Sequence, residues 1–316
     1  MSSKKDIRAI KDEDLTVFLE QYEIPSFRAK QLNEWLWKKR VISFKEMTNL
    51  SIQDRSLLET SFCIKPLEIH DSQISNDGTR KYSMKLHDNK LIESVLIPSR
   101  KRLTACVSSQ VGCSLSCNFC ATGKLDLVRN LTYAEIYDQV FLLNQESLNY
   151  YGKKLTNIVF MGMGEPLLNY NNVIKSISLI TGKKGLGFSP KRITVSTVGI
   201  AKMIKQLADD EVKFNLAVSL HTAINEKRSK IMPINNSIPL ENLREAIDYF
   251  YKKSVDIAVI EDETPSYMLI PEIVKAIAVR KITDVKRNWK TTTSLTRSSF
   301  MLSSPMMILT TARGCS

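Results

Sequence analysis

The sequence has no uninterrupted apolar run of about eighteen residues, which excludes an ordinary membrane-spanning helix. The N-terminus, MSSKKDIRAIKDEDL, lacks the apolar stretch that a secretory signal needs. Both absences predict a cytoplasmic protein, and no basic amphipathic stretch suggests a membrane surface. There is no internal repeat. Histidine is scarce, and His70, His87 and His221 are lone and far apart. Cysteine is scarce too, with six in 316 residues, yet three of the six fall within QVGCSLSCNFCATG (110–123). In a reducing compartment such clustering points to metal rather than to disulfides. Positive charge is plentiful: 45 lysines and arginines against 33 acidic residues give a formal charge of +12. That surplus either solvates a basic surface or meets a polyanion, and nucleic acid is the simplest such partner.

Length predicts about two domains. Residues 1–65 predict a helical domain. In FRAKQLNEWLWKKR, Phe27, Leu32, Trp35 and Leu36 recur at helical spacing, with Lys30, Lys38, Lys39 and Arg40 close by. This basic segment is either a solvated face or an RNA-grasping one. Residues 66–98 alternate polar and apolar, with turn signals at Asp77-Gly78 and Asp88-Asn89, which predicts a short β-hairpin linker. Over 99–287 strands and helices alternate. LTACV is the first strand, and a helix follows Thr132, which with Glu135 forms a capping box. TNIVFM (156–161), a helix over 171–181 stopped by Gly182, RITVST, IAKMIKQLADD, FNLAVSL and a helix opened by Pro239 continue the series. VDIAVI and IPEIVKAIAVRK predict one more strand and helix, and 288–316 is an atypical tail without a period. The alternation predicts an α/β fold with a parallel sheet, open or as a partial barrel. Ligands in such folds sit at the C-terminal ends of the strands.

The cysteine loop starts just after the first of these strands. A tetrahedral zinc needs four ligands, usually as two separated pairs, and no second pair exists, although Cys106 lies close upstream. Three thiolates, Cys113, Cys117 and Cys120, suit a [4Fe–4S] cluster with one iron open. The open iron can hold the amino and carboxylate groups of S-adenosylmethionine (SAM), and an electron from the cluster then breaks the S–C5′ bond. With Phe119 before the last cysteine, the C-x3-C-x2-C pattern resembles the radical-SAM superfamily. GMGEPL (162–167) follows a strand directly; it is either an ordinary βα turn or a SAM contact, in which the glycines let the backbone pass close to the ligand and Glu165 accepts from the amino group. Ser196 ends one strand, and Ser219, Leu220 and His221 end another. Taken singly, these polar residues read as caps or core groups.

The segments RAKQLNEWLWKK, NDGTRKY, LIESVLIP, CVSSQVGCSLSCNFCATG, RNLT, GMGEPL, VSTVGI, SLHTA and RSKIMPIN occur in this order. Together, from about residue 25 to about 253, they resemble the RlmN/Cfr family of radical-SAM RNA methyltransferases. The resemblance implies a partial (βα)6 barrel with an N-terminal RNA-binding helical domain. It implies, for the RlmN branch, methylation of adenine C2 in 23S rRNA and in certain tRNAs; the Cfr branch targets C8. It also implies an electron donor such as flavodoxin or ferredoxin. By the same resemblance Cys113, Cys117 and Cys120 hold the cluster, and Gly164, Glu165, Ser196, Ser219, Leu220 and His221 line the SAM site. Glu93 becomes the proton acceptor and Cys106 the thiol that helps resolve an RNA–protein adduct. In the family a C-terminal cysteine carries the methyl group. Here the resemblance stops after Lys253, and Cys315, in ARGCS, lacks the family's flanking residues. The divergent tail predicts slow SAM cleavage with little or no RNA methylation. Two other readings remain at this point: a radical-SAM enzyme with a different substrate, and a non-catalytic metal-containing RNA-binding protein.

Overall fold

A computed structural model describes residues 4–253 and 257–260; the helix expected after VDIAVI, the tail and Cys315 lie outside the described residues. The chain divides into two compact units, one of residues 1–114, 126–196 and 213–215, the other of residues 115–125, 197–212 and 216 onward.

The first unit opens with β1 (Lys5–Asp6), α1 (Asp12–Gln21), α2 (Phe27–Asn33), α3 (Ile52–Ser61) and β2 (Phe62–Cys63), with β1 and β2 paired in parallel. The apolar phase differs from simple helical spacing. A π-helical turn over Glu34–Lys39 ends at Arg40 in the left-handed region (φ 50°). The extra residue in that turn brings Trp37 inward beside Leu32 and Leu36, while Phe27 stays exposed. Trp35 remains half-buried, with the Lys39 ammonium 3.3 Å above its ring centre. Arg40, expected on the basic face, turns inward instead. Its Nε lies 3.0 Å from Asp138, which also takes two bonds from Arg8 Nη1 (2.9 and 3.0 Å) and one from the Leu67 amide (3.1 Å). Arg8 and Asp138 are both buried, so this node fastens the helical domain to the helix that carries Asp138.

The segment expected as a short hairpin forms three antiparallel strands, β3 (Glu68–Ile74), β4 (Arg80–Lys85) and β5 (Leu91–Ser99), and β5 pairs antiparallel with β6 (Arg102–Cys106). β3 is exposed along its whole length, so no apolar alternation marks it. Next come β7 (Gln110–Val111), β8 (Arg129–Asn130), α4 (Tyr133–Tyr151), β9 (Asn157–Phe160), α5 (Tyr170–Thr181) and β10 (Ile193–Thr197). The Thr132–Glu135 capping box forms as expected. β6, β9 and β10 run parallel, which gives the unit a sheet in the order β10-β9-β6-β5-β4-β3.

The second unit holds α6 (Ala201–Asp209), most of β11 (Asn215–Ser219), α7 (Asn225–Ile231), α8 (Leu240–Lys253) and β12 (Ile257–Ile260). β11 and β12 are parallel, with Leu216 opposite Ile257. α6 packs on α8 through a buried set that includes Ile204, Leu207, Leu243, Ile247 and Phe250. Among the described residues no helix is long and apolar enough to cross a membrane.

Candidate active site

In the first unit three segments meet at the C-terminal end of β6. The residues after β6 turn across the loop that follows β9. The Ser109 amide donates to the Met163 carbonyl (2.9 Å), and the Met163 amide donates to Ser108 Oγ (2.8 Å). Two glycines make this contact possible. A Cβ at Gly162 would lie 2.6 Å from Ser108 Oγ, and one at Gly164 (φ 93°) would lie 2.4 Å from Gln110 Cβ. Gly162 thus admits the Val107–Ser108 backbone and Gly164 the Gln110 side chain. Gln110 then spans the site: its Oε1 accepts from the Glu165 amide (2.8 Å) and its Nε2 donates to Asn130 (2.7 Å). Glu165 is buried, and its carboxylate caps the following short helix through the Leu167 amide (3.0 Å).

The third segment is β5. Because β5 is antiparallel to β6 with Val95 opposite Cys106, Glu93 stands two residues beyond the end of β6. It is fixed there: the Ser108 hydroxyl donates to the Glu93 carbonyl (2.6 Å), and the Glu93 amide lies 3.3 Å from Met163 Sδ. Its carboxylate is half-exposed and pairs with Lys81 at 3.0 Å. Cys106 ends β6 with its thiol buried, and burial pushes that thiol up to about 12. Ser196 closes β10 onto β9 by donating its hydroxyl to the Phe160 carbonyl (2.6 Å).

The cysteine loop leaves the first unit through the β7–β8 bridge, which pairs Gln110 with Asn130 and Val111 with Arg129. Arg129 forks between Glu135 (2.9 Å) and Asp88 (2.8 Å) and so holds the return leg. Gly112 (φ 77°) precedes Cys113, where a Cβ would strike the Asp126 carbonyl. Cys117 and Cys120 belong to the second unit, where the Cys120 amide donates to the Cys117 carbonyl (3.1 Å). Asn118 between them donates its amide to Ile231 (2.9 Å) and its side chain to Lys230 (2.5 Å), which seats the loop on the end of α7. Phe119 packs its ring 4.0 Å from that of His221, which is itself left-handed (φ 60°). Ser219 ends β11 and Leu220 and His221 follow it, all three buried, and the Ser219 and Leu220 carbonyls both accept from Arg228.

Three thiols at this spacing, on a loop shaped by Gly112 and by Gly123 tight against Cys117, are a donor set that fits a cysteine-bound iron–sulfur cluster. Among the described residues no three His, Cys, Asp or Glu side chains are drawn together as a ready-made metal site. Sequence reasoning missed Ser108, Gln110 and Arg228. The first two lie inside the quoted SSQVGC segment and the third opens RSKIMPIN, but nothing in their residue type marks them.

Two family models match this chain: the ribosomal RNA large subunit methyltransferase N-terminal domain over residues 5–64, and the radical SAM superfamily over 107–270. A relative from Flavobacterium johnsoniae, named "Probable dual-specificity RNA methyltransferase RlmN", is 56% identical over 251 residues, covering 79% of this chain and 72% of its own. A relative of the same name from Thermotoga neapolitana is 40% identical over 87% of this chain and 82% of its own. The crystal structure of a radical SAM methyltransferase from Sphaerobacter thermophilus superposes with a TM-score of 0.73 at 34% identity, covering 81% of this chain and 75% of that one. The strand-end site, the cysteine loop and these relatives agree, and the chain belongs to the RlmN family of RNA methyltransferases, partial-barrel radical SAM enzymes that use a [4Fe–4S] cluster and SAM.

Proposed function

We propose that this chain is an RNA methyltransferase directed at C2 of an adenosine in 23S rRNA, and in tRNA, working in the cytoplasm with a flavodoxin- or ferredoxin-type electron donor. The observation that carries the reading is the overhang of Glu93 past β6, beside the Ser108–Met163 contact. Cys113, Cys117 and Cys120 would hold the cluster. A cluster bound there supplies the one electron that splits SAM. Gly164, Glu165, Ser196, Ser219, Leu220 and His221 would line the SAM site, with Glu165 accepting from the SAM amino group. Glu93 takes the proton leaving the adenine carbon, and Lys81 holds its carboxylate in place. Cys106 helps resolve the adduct once the end of β6 opens to it.

The methyl-carrying step depends on residues after Lys253, where no such role transfers to Cys315. Protein reconstituted without oxygen, given a reductant, methyl-labelled SAM and unmodified rRNA and tRNA, tests both halves. The expected result is about four irons and four sulfides per chain, 5′-deoxyadenosine, and label in RNA absent or very low, any that appears being 2-methyladenosine. Label at C8 would overturn the C2 assignment, and stoichiometric zinc without labile sulfide would overturn the cluster. Many labelled adenosines per enzyme would show that the tail supports turnover, and Cys315→Ala would then ask whether that cysteine carries the methyl group.

A further inference from the structure

Arg228 of α7 is 1% exposed and heads the fully buried side chains of the described residues by volume. Its Nε donates to the Leu220 carbonyl (3.3 Å) and its Nη1 to Asn235 Oδ1 (2.7 Å). Its Nη2 donates to the carbonyls of Val198 (2.6 Å) and Ser219 (3.3 Å). All four acceptors are neutral. The other deeply buried arginine, Arg8, has Asp138 and Asp6 as counter-ions. A buried guanidinium keeps its proton, so without an anion it bears the full cost of desolvation. Carbonyl dipoles offset part of that cost and leave the charge itself unbalanced.

Burial works against the charge of the Arg228 guanidinium, and a thiolate at Cys117 would work in its favour. The geometry ties the two together. Asn118, the neighbour of Cys117, is bonded through its backbone to Ile231 and through its side chain to Lys230, three and two residues beyond Arg228. Two hydrogen bonds to a single helix thus seat the residue next to Cys117 at the end of the helix that carries Arg228.

We propose that Arg228 is the built-in counter-charge of the cluster assigned above to Cys113, Cys117 and Cys120, and that its fixed field eases one-electron reduction of that cluster. The inference rests on that assignment. In the step concerned, a low-potential one-electron donor passes one electron to the cluster; no bond forms or breaks and no proton moves. Iron–sulfur potentials follow net charge and surroundings, and a cation held in a low-dielectric interior favours the more negative oxidation state. Arg228 is held by the carbonyls after β10 and β11, so the field is in place before the electron arrives. Arg228 is thus a positioning residue as well, since its fork joins the segments that carry Val198, Ser219 and Leu220.

The test is a redox titration of the full chain, reconstituted without oxygen and followed by electron paramagnetic resonance, with iron and sulfide counted in parallel. Arg228→Gln removes the charge, Arg228→Lys keeps it, and Asn235→Asp leaves Arg228 in place but sets a carboxylate at its Nη1. The expected result is a more negative potential in Arg228→Gln and Asn235→Asp, a near wild-type potential in Arg228→Lys, and unchanged cluster content. Asn235→Asp decides the matter should Arg228→Gln fail to fold. An unshifted potential in Asn235→Asp with the cluster intact would overturn the proposal. So would an equal shift in Arg228→Lys, which would assign the effect to hydrogen bonding rather than charge. Wild-type protein that takes up zinc in place of iron and sulfide removes the cluster assignment, and the counter-charge with it.

Discussion

Cys106 sits at the end of β6 with its thiol closed off from water, and burial pushes that thiol up to about 12. Only the thiolate is a nucleophile, so the folded protein holds Cys106 inert at neutral pH. Iodoacetamide at pH 8 followed by mass spectrometry is expected to label Cys106 on the order of a hundredfold more slowly than the part-exposed Cys63, and fully once urea unfolds the chain. Comparable rates in the folded protein would show the strand end already open. The sign of the pH effect follows from the raised value: the neutral thiol is the favoured buried form. Its contribution to stability is whole below the ordinary thiol range and is lost as pH rises toward about 12. At this scale the sequence is least legible. Glu93 reads as one more strand carboxylate until the Val95–Cys106 register sets it past the end of β6. Ser196 is visible as a strand-end serine, yet its tie to the Phe160 carbonyl depends on which strands are neighbours.

The turn after β9 is the element on which the site depends. Gly164 combines a left-handed backbone with a Cβ direction blocked by Gln110. Gly164→Ala is expected to cost roughly 2–4 kcal/mol in urea unfolding, from backbone strain and overpacking together. Gly187→Ala is the control: its φ is 64° but nothing lies within 4 Å of the added carbon, so about 1 kcal/mol is expected. Equal losses in the two variants would show that the contact with Gln110 contributes nothing. Elements with a strong local signal were readable in advance. α4 follows from its capping box and β9, β10 and β11 from short apolar runs. β3 was not, because both of its faces meet water. The π turn over Glu34–Lys39 was not either, because it shifts the helical phase and so exchanges Trp35 for Trp37 in the core.

Across the whole molecule, the helical domain is held by a buried carboxylate that faces two guanidinium groups. Asp138→Asn removes the negative charge and leaves Arg8 and Arg40 buried without it. A loss of roughly 3–5 kcal/mol is expected, read by urea or thermal unfolding. A loss below about 1 kcal/mol would mean that the node is no stronger than a surface pair. The same node has a consequence for how the protein is made. Arg8 and Asp138 are 130 residues apart in the chain. At about 5–20 residues per second, a ribosome needs roughly 6 to 26 seconds to get from one to the other. For most of that interval the nascent helical domain carries both arginines with the Asp138 carboxylate still unmade. The helical domain is therefore fastened to α4 only after α4 has left the ribosome.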